Sequence, residues 1–348
     1  MSADDLVLRI AERNVTISHP DKVFFPTHNE TKLDLIEFYL GIGEPLIRAM
    51  QDRPVLLQRF PNGTAGSSFF QKRIPDSAPE WLTTTVVETP NGTPSRVLVI
   101  ADLAHFIWAV NLGCLGFHSW PFRATTPQFT DELRIDLDPG PGTTFSMAQE
   151  SAQETRRLFD ELGIVSFVKT TGNRGLHVYV RLAPSWDSLA VRSAAVAVAR
   201  ELERRRPELI TAAWWKEERG ERIFIDFNQN APHKTVFAPW SVRSRPHAPV
   251  SCPFDWNELD HVDPNSLTMS AVAARVAASG DPWRAIDDTP NSLEPLLDLV
   301  RRDQVAGLLD APWPPVYPKM EGEPPRVAPS RARKPVTKPL KKLVGEAD

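Results

Sequence analysis

Cysteine is nearly absent: Cys114 and Cys252 are the only two in 348 residues. Two thiols are too few for a disulfide framework or a cysteine-built zinc site, and they suit a reducing, cytoplasmic setting. No stretch reaches the ~18 apolar residues that a membrane-spanning helix needs. The first ten residues carry Asp4, Asp5 and Arg9 and no apolar core, so a secretory signal is not expected there. There is no internal repeat, no Gly-Lys-Ser/Thr phosphate loop, and no Lys-x-Asp-Gly motif in a ligase-like context. The net charge of −4 excludes polyanion binding by bulk charge, so basic groups must be judged locally. The 41% hydrophobic and 24% charged content fits a soluble globular protein with a sizeable core.

What is present centres on Arg134-Ile135-Asp136-Leu137-Asp138-Pro139-Gly140, a strand running into a Pro/Gly turn. Side chains alternate along a strand, so Asp136 and Asp138 share one face while Ile135 and Leu137 share the other. Two neighbouring carboxylates repel unless a cation sits between them. They either cap the turn or hold a divalent ion, since hard cations take carboxylate oxygens.

Around this strand the pattern predicts a strand near Val15 and Ile17 and a helix opened by Asn29 or Thr31. Strands follow at 54–60, 83–88 and 96–100, then a helix at 102–112. Phe69 and Phe70 point to opposite faces of an extended segment, so one core cannot easily take both. A helix is expected at 146–162 with Gly163 as its stop. Strand, turn and strand come at 167–182, a helix at 187–206 and a strand at 221–227. Residues 228–256 read as irregular, with helices at 268–278 and 292–309. Arg204-Arg205-Arg206 reads as a solvated helix end matching the helix dipole. From about Pro312 the chain is proline-rich, and from Arg326 to Lys342 it has seven basic residues and no acidic one. That composition predicts an unfolded tail over 312–348, beside a folded domain over 1–311. The tail either contacts nucleic acid electrostatically or merely solubilises.

Two more segments carry chemistry. Lys169-Thr170-Thr171-Gly172-Asn173-Arg174-Gly175-Leu176-His177 offers, from Thr171, Arg174 and His177, a hydroxyl, a forked cation and an imidazole on a freely turning backbone, which suit a polyphosphate or simply a hairpin turn. Asp226 ends its strand and is followed by Asn228 and Gln229, with Lys234, Arg243 and Arg245 beyond. Three carboxylates can hold two divalent ions about 4 Å apart, which activate a 3′-hydroxyl and stabilise leaving pyrophosphate. The protein then mainly positions the phosphoryl group and supplies cations.

These residues resemble the archaeo-eukaryotic primase superfamily. More closely, they resemble the polymerase domain of bacterial ligase D and its stand-alone relatives, the non-homologous end-joining primase-polymerases. The likeness covers roughly 10–300. It rests on ordered motifs: His-Pro-Asp-Lys-Val, Phe-Phe-Gln-Lys, Phe-His-Ser-Trp, Arg-Ile-Asp-Leu-Asp-Pro-Gly, Thr-Gly-Asn-Arg-Gly-Leu-His, Ile-Asp-Phe-Asn-Gln-Asn and Ala-Pro-Trp-Ser-Val-Arg-Ser-Arg. It implies an α+β fold with a mixed-sheet catalytic core packed with helices.

It also implies the following roles. Asp136, Asp138 and Asp226 are catalytic and bind two ions, Mn2+ or Mg2+. The nucleotide site includes His118, Thr171, Arg174, His177, Gln229, Lys234, Arg243 and Arg245. Lys22, Lys32 and Arg59 contact DNA or its 5′-phosphate, and Phe69 and Phe70 stack at the DNA end. Thr171 stands where the family commonly has serine, Arg174 where lysine is common, and Gln58 where a basic residue is frequent. The implied function is a DNA-templated nucleotidyl transferase that fills gaps or extends ends in double-strand break repair and tolerates ribonucleotides. Its partners would be gapped or broken DNA with a 5′-phosphate, NTP or dNTP, a Ku-like protein and a separate ligase. No membrane is involved, and the setting is the cytoplasm and nucleoid. The length leaves no room for ligase or nuclease domains after the polymerase. A silent DNA-end-binding module and a metal-dependent nuclease remain the alternatives.

Overall fold

In the computed structural model, residues 5–89, 92–288 and 290–326 are described. The chain opens with β1 (Leu6–Ile10), β2 (Arg13–Ile17), β3 (Val23–Phe25) and β4 (Glu30–Thr31), followed by α1 (Lys32–Gly41) and α2 (Gly43–Met50). Next come β5 (Arg53–Arg59), β6 (Phe69–Gln71), β7 (Thr84–Val87), β8 (Ser95–Ile100), α3 (Leu103–Asn111) and β9 (Cys114–Ser119). The second half begins with β10 (Glu132–Pro139), α4 (Phe145–Glu161), β11 (Phe167–Thr170), β12 (Leu176–Arg181) and α5 (Ser188–Arg205). It closes with β13 (Ile210–Thr211), α6 (Lys216–Arg219), β14 (Ile223–Ile225), β15 (Val236–Phe237), β16 (Pro253–Phe254), α7 (Met269–Ser279) and α8 (Glu294–Val305).

Local sequence explains the boundaries. Thr31 rather than Asn29 caps α1: its hydroxyl accepts from the Asp34 amide while the Asp34 carboxylate accepts from the Thr31 amide. Gly163, at φ 67°, follows α4 where a left-handed residue is needed.

Among the described residues there are two six-stranded sheets. One has the order β15-β9-β5-β8-β7, with β6 pairing the end of β5; the other has the order β13-β14-β10-β12-β11-β16. Only β13 and β14 pair in parallel in these sheets, so the fold is mixed α+β, as expected. On β10, Leu133, Ile135 and Leu137 are buried in a core with Ala148 and Ala152 of α4 and Ala194, Ala195 and Val198 of α5. The first sheet packs its own core against α1 and α3, around Leu57, Phe106, Phe117 and Tyr39.

The other face of β10 carries Glu132, Arg134, Asp136 and Asp138 in succession. The first two are buried in an ion network that joins the sheets. Arg53 of β5 reaches Asp131 and Glu132, each at 2.8 Å. Arg181 of β12 reaches Glu132 at 2.9 Å, and Arg134 donates to the carbonyls of Ser119 and Trp120 at 2.9 and 3.0 Å. Burial alone would raise the Asp131 carboxyl, but Arg53, Arg181 and Arg123 outweigh it and hold the group ionised.

Two expectations are corrected. Arg204, Arg205 and Arg206 are not simply solvated: they pair with Glu201, Glu161 and Glu208 at 2.9, 2.7 and 2.5 Å. Residues 312–326 do not begin an unfolded tail. Trp313 and Tyr317 are buried against Ala231. The Arg192 guanidinium lies 3.8 Å from the Trp313 ring centroid and 2.9 Å from Asp310. Glu323 accepts from the Trp313 amide at 2.8 Å. Proline-rich composition concealed two aromatic anchors whose burial offsets the ordering entropy. The rest of the expected tail, 327–348, lies outside the described residues. Trp313→Ala is expected to cost about 3–5 kcal/mol and to expose 311–323 to limited proteolysis, detected by mass spectrometry of the first cleavage products.

Candidate active site

The charged stripe on β10 leaves the ion network at Asp136, which is partly buried, and opens at Asp138, which is exposed. Asp138 pairs with Phe224 of β14 in the sheet register. Immediately after β14, the Asp226 amide donates to the Asp136 carbonyl at 3.0 Å. The three aspartates therefore come together at the end of two adjacent strands. Burial, then Asp136, raises the Asp226 carboxyl to about 6. Burial raises Asp136 to about 6 against the pull of Lys169 and Arg243. Asp138 is raised by burial and by Asp136, with Arg219, Arg174 and Lys216 opposing. Burial raises all three carboxyls, and the Asp136 charge adds to the rise of Asp138 and Asp226.

The donor set fits a hard divalent cation, since all three side chains present only carboxylate oxygen. Among the described residues no three such groups already close as ligands around a point. The rotamers explain this. Asp226 accepts from the Gln229 side chain at 2.7 Å and from the Asn228 amide at 3.2 Å, while Asp136 faces His177 Nε2 at 3.2 Å.

His177 lies opposite Asp136 on β12, and Lys169 lies opposite His177 on β11. Asp136, His177 and Lys169 thus form one row across three strands. Burial, with Lys169 and Arg243 next, pushes the His177 imidazole well below its usual range, so it is neutral. His177 Nδ1 is buried without a hydrogen-bond partner. Lys169 is wholly buried, 2.6 Å from Ser251 Oγ, and was not singled out from sequence. A lysine in an alternating strand reads as a solvated residue; here that face is the space between two sheets.

The 171–175 turn is shaped by Thr171 Oγ1, which accepts from the amides of Asn173 and Gly175 at 3.2 and 3.3 Å. Gly172 has φ 69°, and a Cβ on it would stand 2.8 Å from the Arg243 side chain. Arg243 Nε donates to the Thr171 carbonyl at 2.9 Å, and its guanidinium covers Phe237 at 3.4 Å. Burial and neighbouring Arg245 lower Arg243 to about 10, so it stays charged. His118 stands edge-on to both Phe237 and Phe70, with ring centroids 5.3 and 5.5 Å away. Burial and Arg243 lower it to about 4, so it is neutral. Arg174 is exposed and Lys234 half-buried; they act on Asp138 and Asp226 respectively.

The candidate DNA residues are arranged less simply. Phe69 and Phe70 on β6 are 47% and 59% exposed, so neither is a core residue. Arg59 covers Phe69 at 5.3 Å and donates to Gln71 at 2.6 Å. Lys22 Nζ donates to the Pro61 carbonyl at 2.5 Å. Lys32 is 4% exposed; its ammonium donates to the carbonyls of Ser18 and Asn111, and burial, then Lys22, lowers it to about 8.

One antiparallel and one mixed sheet with packed helices, and three aspartates at the ends of β10 and β14 with Lys169, Arg174 and Arg243 beside them, define an α+β protein. A family model described as LigD, primase-polymerase domain, matches residues 31–283, and the chain belongs to that family. It is 34% identical over 289 residues to the multifunctional non-homologous end joining DNA repair protein LigD of Mycobacterium tuberculosis, covering 80% of this chain and 38% of that protein. It is 31% identical over 265 residues to the bifunctional non-homologous end joining protein LigD of Bacillus subtilis, covering 76% of this chain and 42% of that protein. The chain thus spans about two fifths of the length of these curated relatives. Among solved structures, the polymerase domain from Mycobacterium tuberculosis ligase D in complex with DNA matches with a TM-score of 0.73 and 32% identity, over 80% of this chain and 99% of that one. No described helix is long and apolar enough to cross a membrane.

Proposed function

We propose that this chain is a metal-dependent, DNA-templated nucleotidyl transferase that fills gaps or extends ends during double-strand break repair and accepts ribonucleotides. The observation that carries the reading is the convergence of Asp136, Asp138 and Asp226 beside a turn lined by Thr171, Arg174 and Arg243. Two divalent ions, Mn2+ or Mg2+, held by the three aspartates supply charge to activate a 3′-hydroxyl and to offset the leaving pyrophosphate. Arg174, Lys234, Arg243 and Arg245 bind and neutralise the triphosphate. Thr171 shapes the turn so that its backbone meets the phosphates. Neutral His177 faces the Asp136 carboxylate with Nε2, Gln229 orients Asp226, and His118 completes the nucleotide pocket. Lys22, Lys32 and Arg59 lie on the side that meets the 5′-phosphate. Both ammonium groups donate to carbonyls, but Lys32 is buried and Lys22 only half-buried, so Lys22 is the more accessible of the two lysines. Partners in this reading are gapped or broken DNA with a 5′-phosphate, NTP or dNTP, a Ku-like end-binding protein and a separate ligase.

Phe69 and Phe70 serve as the stacking platform for a DNA end. Phe70→Ala is expected to weaken binding of a gapped duplex by about 1–3 kcal/mol, read by fluorescence anisotropy. The function itself is tested by extending a primer across a gap with a 5′-phosphate, using Mn2+ and NTP or dNTP. Templated addition supports it. Tight DNA binding without addition would identify a silent end-binding module, and loss of DNA ends without nucleotide would identify a nuclease.

A further inference from the structure

One contact outside the proposed chemistry joins its two halves. His28 lies between β3 and β4, and His247 lies 219 residues later in the loop that begins at Arg243. His28 Nε2 and His247 Nδ1 are 2.7 Å apart, with ring centroids 4.9 Å apart. At that distance one nitrogen carries the proton and the other accepts it. Glu30 lies in the field of both imidazoles and of Asp34, and its Oε2 is buried without a hydrogen-bond partner. Asp34 is itself taken up by the Thr31 amide and hydroxyl, each at 2.7 Å.

The loop needs such a restraint. His247 and Ala248 have φ of 69° and 45°, a region that residues with a Cβ seldom occupy. Within it the Arg243 amide donates to the Pro249 carbonyl at 2.8 Å, the Arg245 amide to the Arg243 carbonyl at 2.8 Å and the Ala248 amide to the Arg245 carbonyl at 3.1 Å; Ala248 is buried in the core, while the His247 side chain is exposed and has His28 as its partner. At its base, Arg243 reaches the Thr171 carbonyl. On the other side of the contact, the Lys32 amide donates to the Lys22 carbonyl at 2.8 Å, so the hairpin that carries His28 also orders both lysines.

We propose that His28 and His247 are positioning residues: their shared proton holds the 243–248 loop with Arg243 and Arg245 ready for a triphosphate, and links that loop to the hairpin that meets the 5′-phosphate. The proposal rests on the functional reading above. One consequence follows from it. A 5′-phosphorylated end and a nucleotide strengthen each other's binding, because coupling between sites is reciprocal.

The test compares wild type with His28→Ala, His247→Ala, the double variant and His247→Gln. Binding of a non-hydrolysable NTP with Mn2+ is measured with and without a 5′-phosphate on the gapped duplex, alongside steady-state incorporation. Each alanine variant is expected to raise Kd and KM about two- to tenfold, the range for losing one hydrogen bond, with kcat little changed. The double variant should be no worse than either single one, and the 5′-phosphate should no longer tighten NTP binding. His247→Gln, which keeps a side-chain donor and acceptor, should retain affinity. Unchanged Kd in the single variants, or additive losses in the double variant, would overturn the proposal. A readout independent of activity is the His28 ring 15N shift, which His247→Ala should move; an unmoved resonance overturns the link. Absence of any incorporation by wild type would instead overturn the polymerase reading, and the ring shift would still decide the contact.

Discussion

Asp138→Ala is expected to reduce templated incorporation by about 10³-fold or more, the equivalent of the several kcal/mol that a misplaced metal withdraws from the transition state. Folding should be unharmed. Asp138 reaches solvent at a strand end, and its carboxylate is disfavoured by the partial desolvation there and by Asp136. The companion variant Asp136→Asn separates chemistry from stability more sharply. Asp136 rises from 3.8 to about 6 in the folded protein, so the folded state holds its proton more tightly than the unfolded chain does. The stability that this group contributes is full below about pH 4 and is lost as pH rises through about 6. At pH 7.5 without metal, Asp136→Asn should therefore stabilise the protein by up to about 3 kcal/mol. Incorporation should fall as far as in Asp138→Ala. Thermal melts in EDTA and in Mn2+ check both halves: Mn2+ should raise the wild-type Tm and leave Asp136→Asn nearly unmoved.

The second large effect lies in the ion network behind the site. Arg53→Met should destabilise the protein by about 3–5 kcal/mol, because it leaves Asp131 and Glu132 buried with one cation fewer. Arg53 is 1% exposed and bridges both carboxylates. It also ties β5 to the start of β10, so loosening it should disturb the register of the strand that carries Asp136 and Asp138. Urea unfolding followed by tryptophan fluorescence measures the loss. Replacing Arg53, Asp131 and Glu132 together by apolar residues of similar size should recover much of it, since a buried charge network is costly chiefly when broken.

The sequence showed some of this readily. Alternation along 134–138 put Asp136 and Asp138 on one face, and the capping pattern at Thr31 and the stop at Gly163 marked helix ends. The ordered motifs pointed to the right family. It did not show Arg53, Asp131 and Glu132 as a unit, because charged residues beside Pro54 and in a loop read as surface groups; only the pairing of β5 with β9 and the approach of the second sheet bury them. Lys169 was hidden for the same reason. Lys32 reads as a free phosphate ligand, yet the fold spends its ammonium on Ser18 and Asn111. The 312–326 strap was concealed by its prolines, since anchoring by Trp313 and Tyr317 depends on Arg192 and Pro232, far away in sequence.

The most direct measurement is the anomalous signal from a crystal soaked with Mn2+ and a non-hydrolysable nucleoside triphosphate. The account predicts Mn2+ among the carboxylates of Asp136, Asp138 and Asp226, with the triphosphate against Thr171, Arg174 and Arg243. Manganese bound elsewhere while those carboxylates keep Gln229 and His177 as their partners would contradict it.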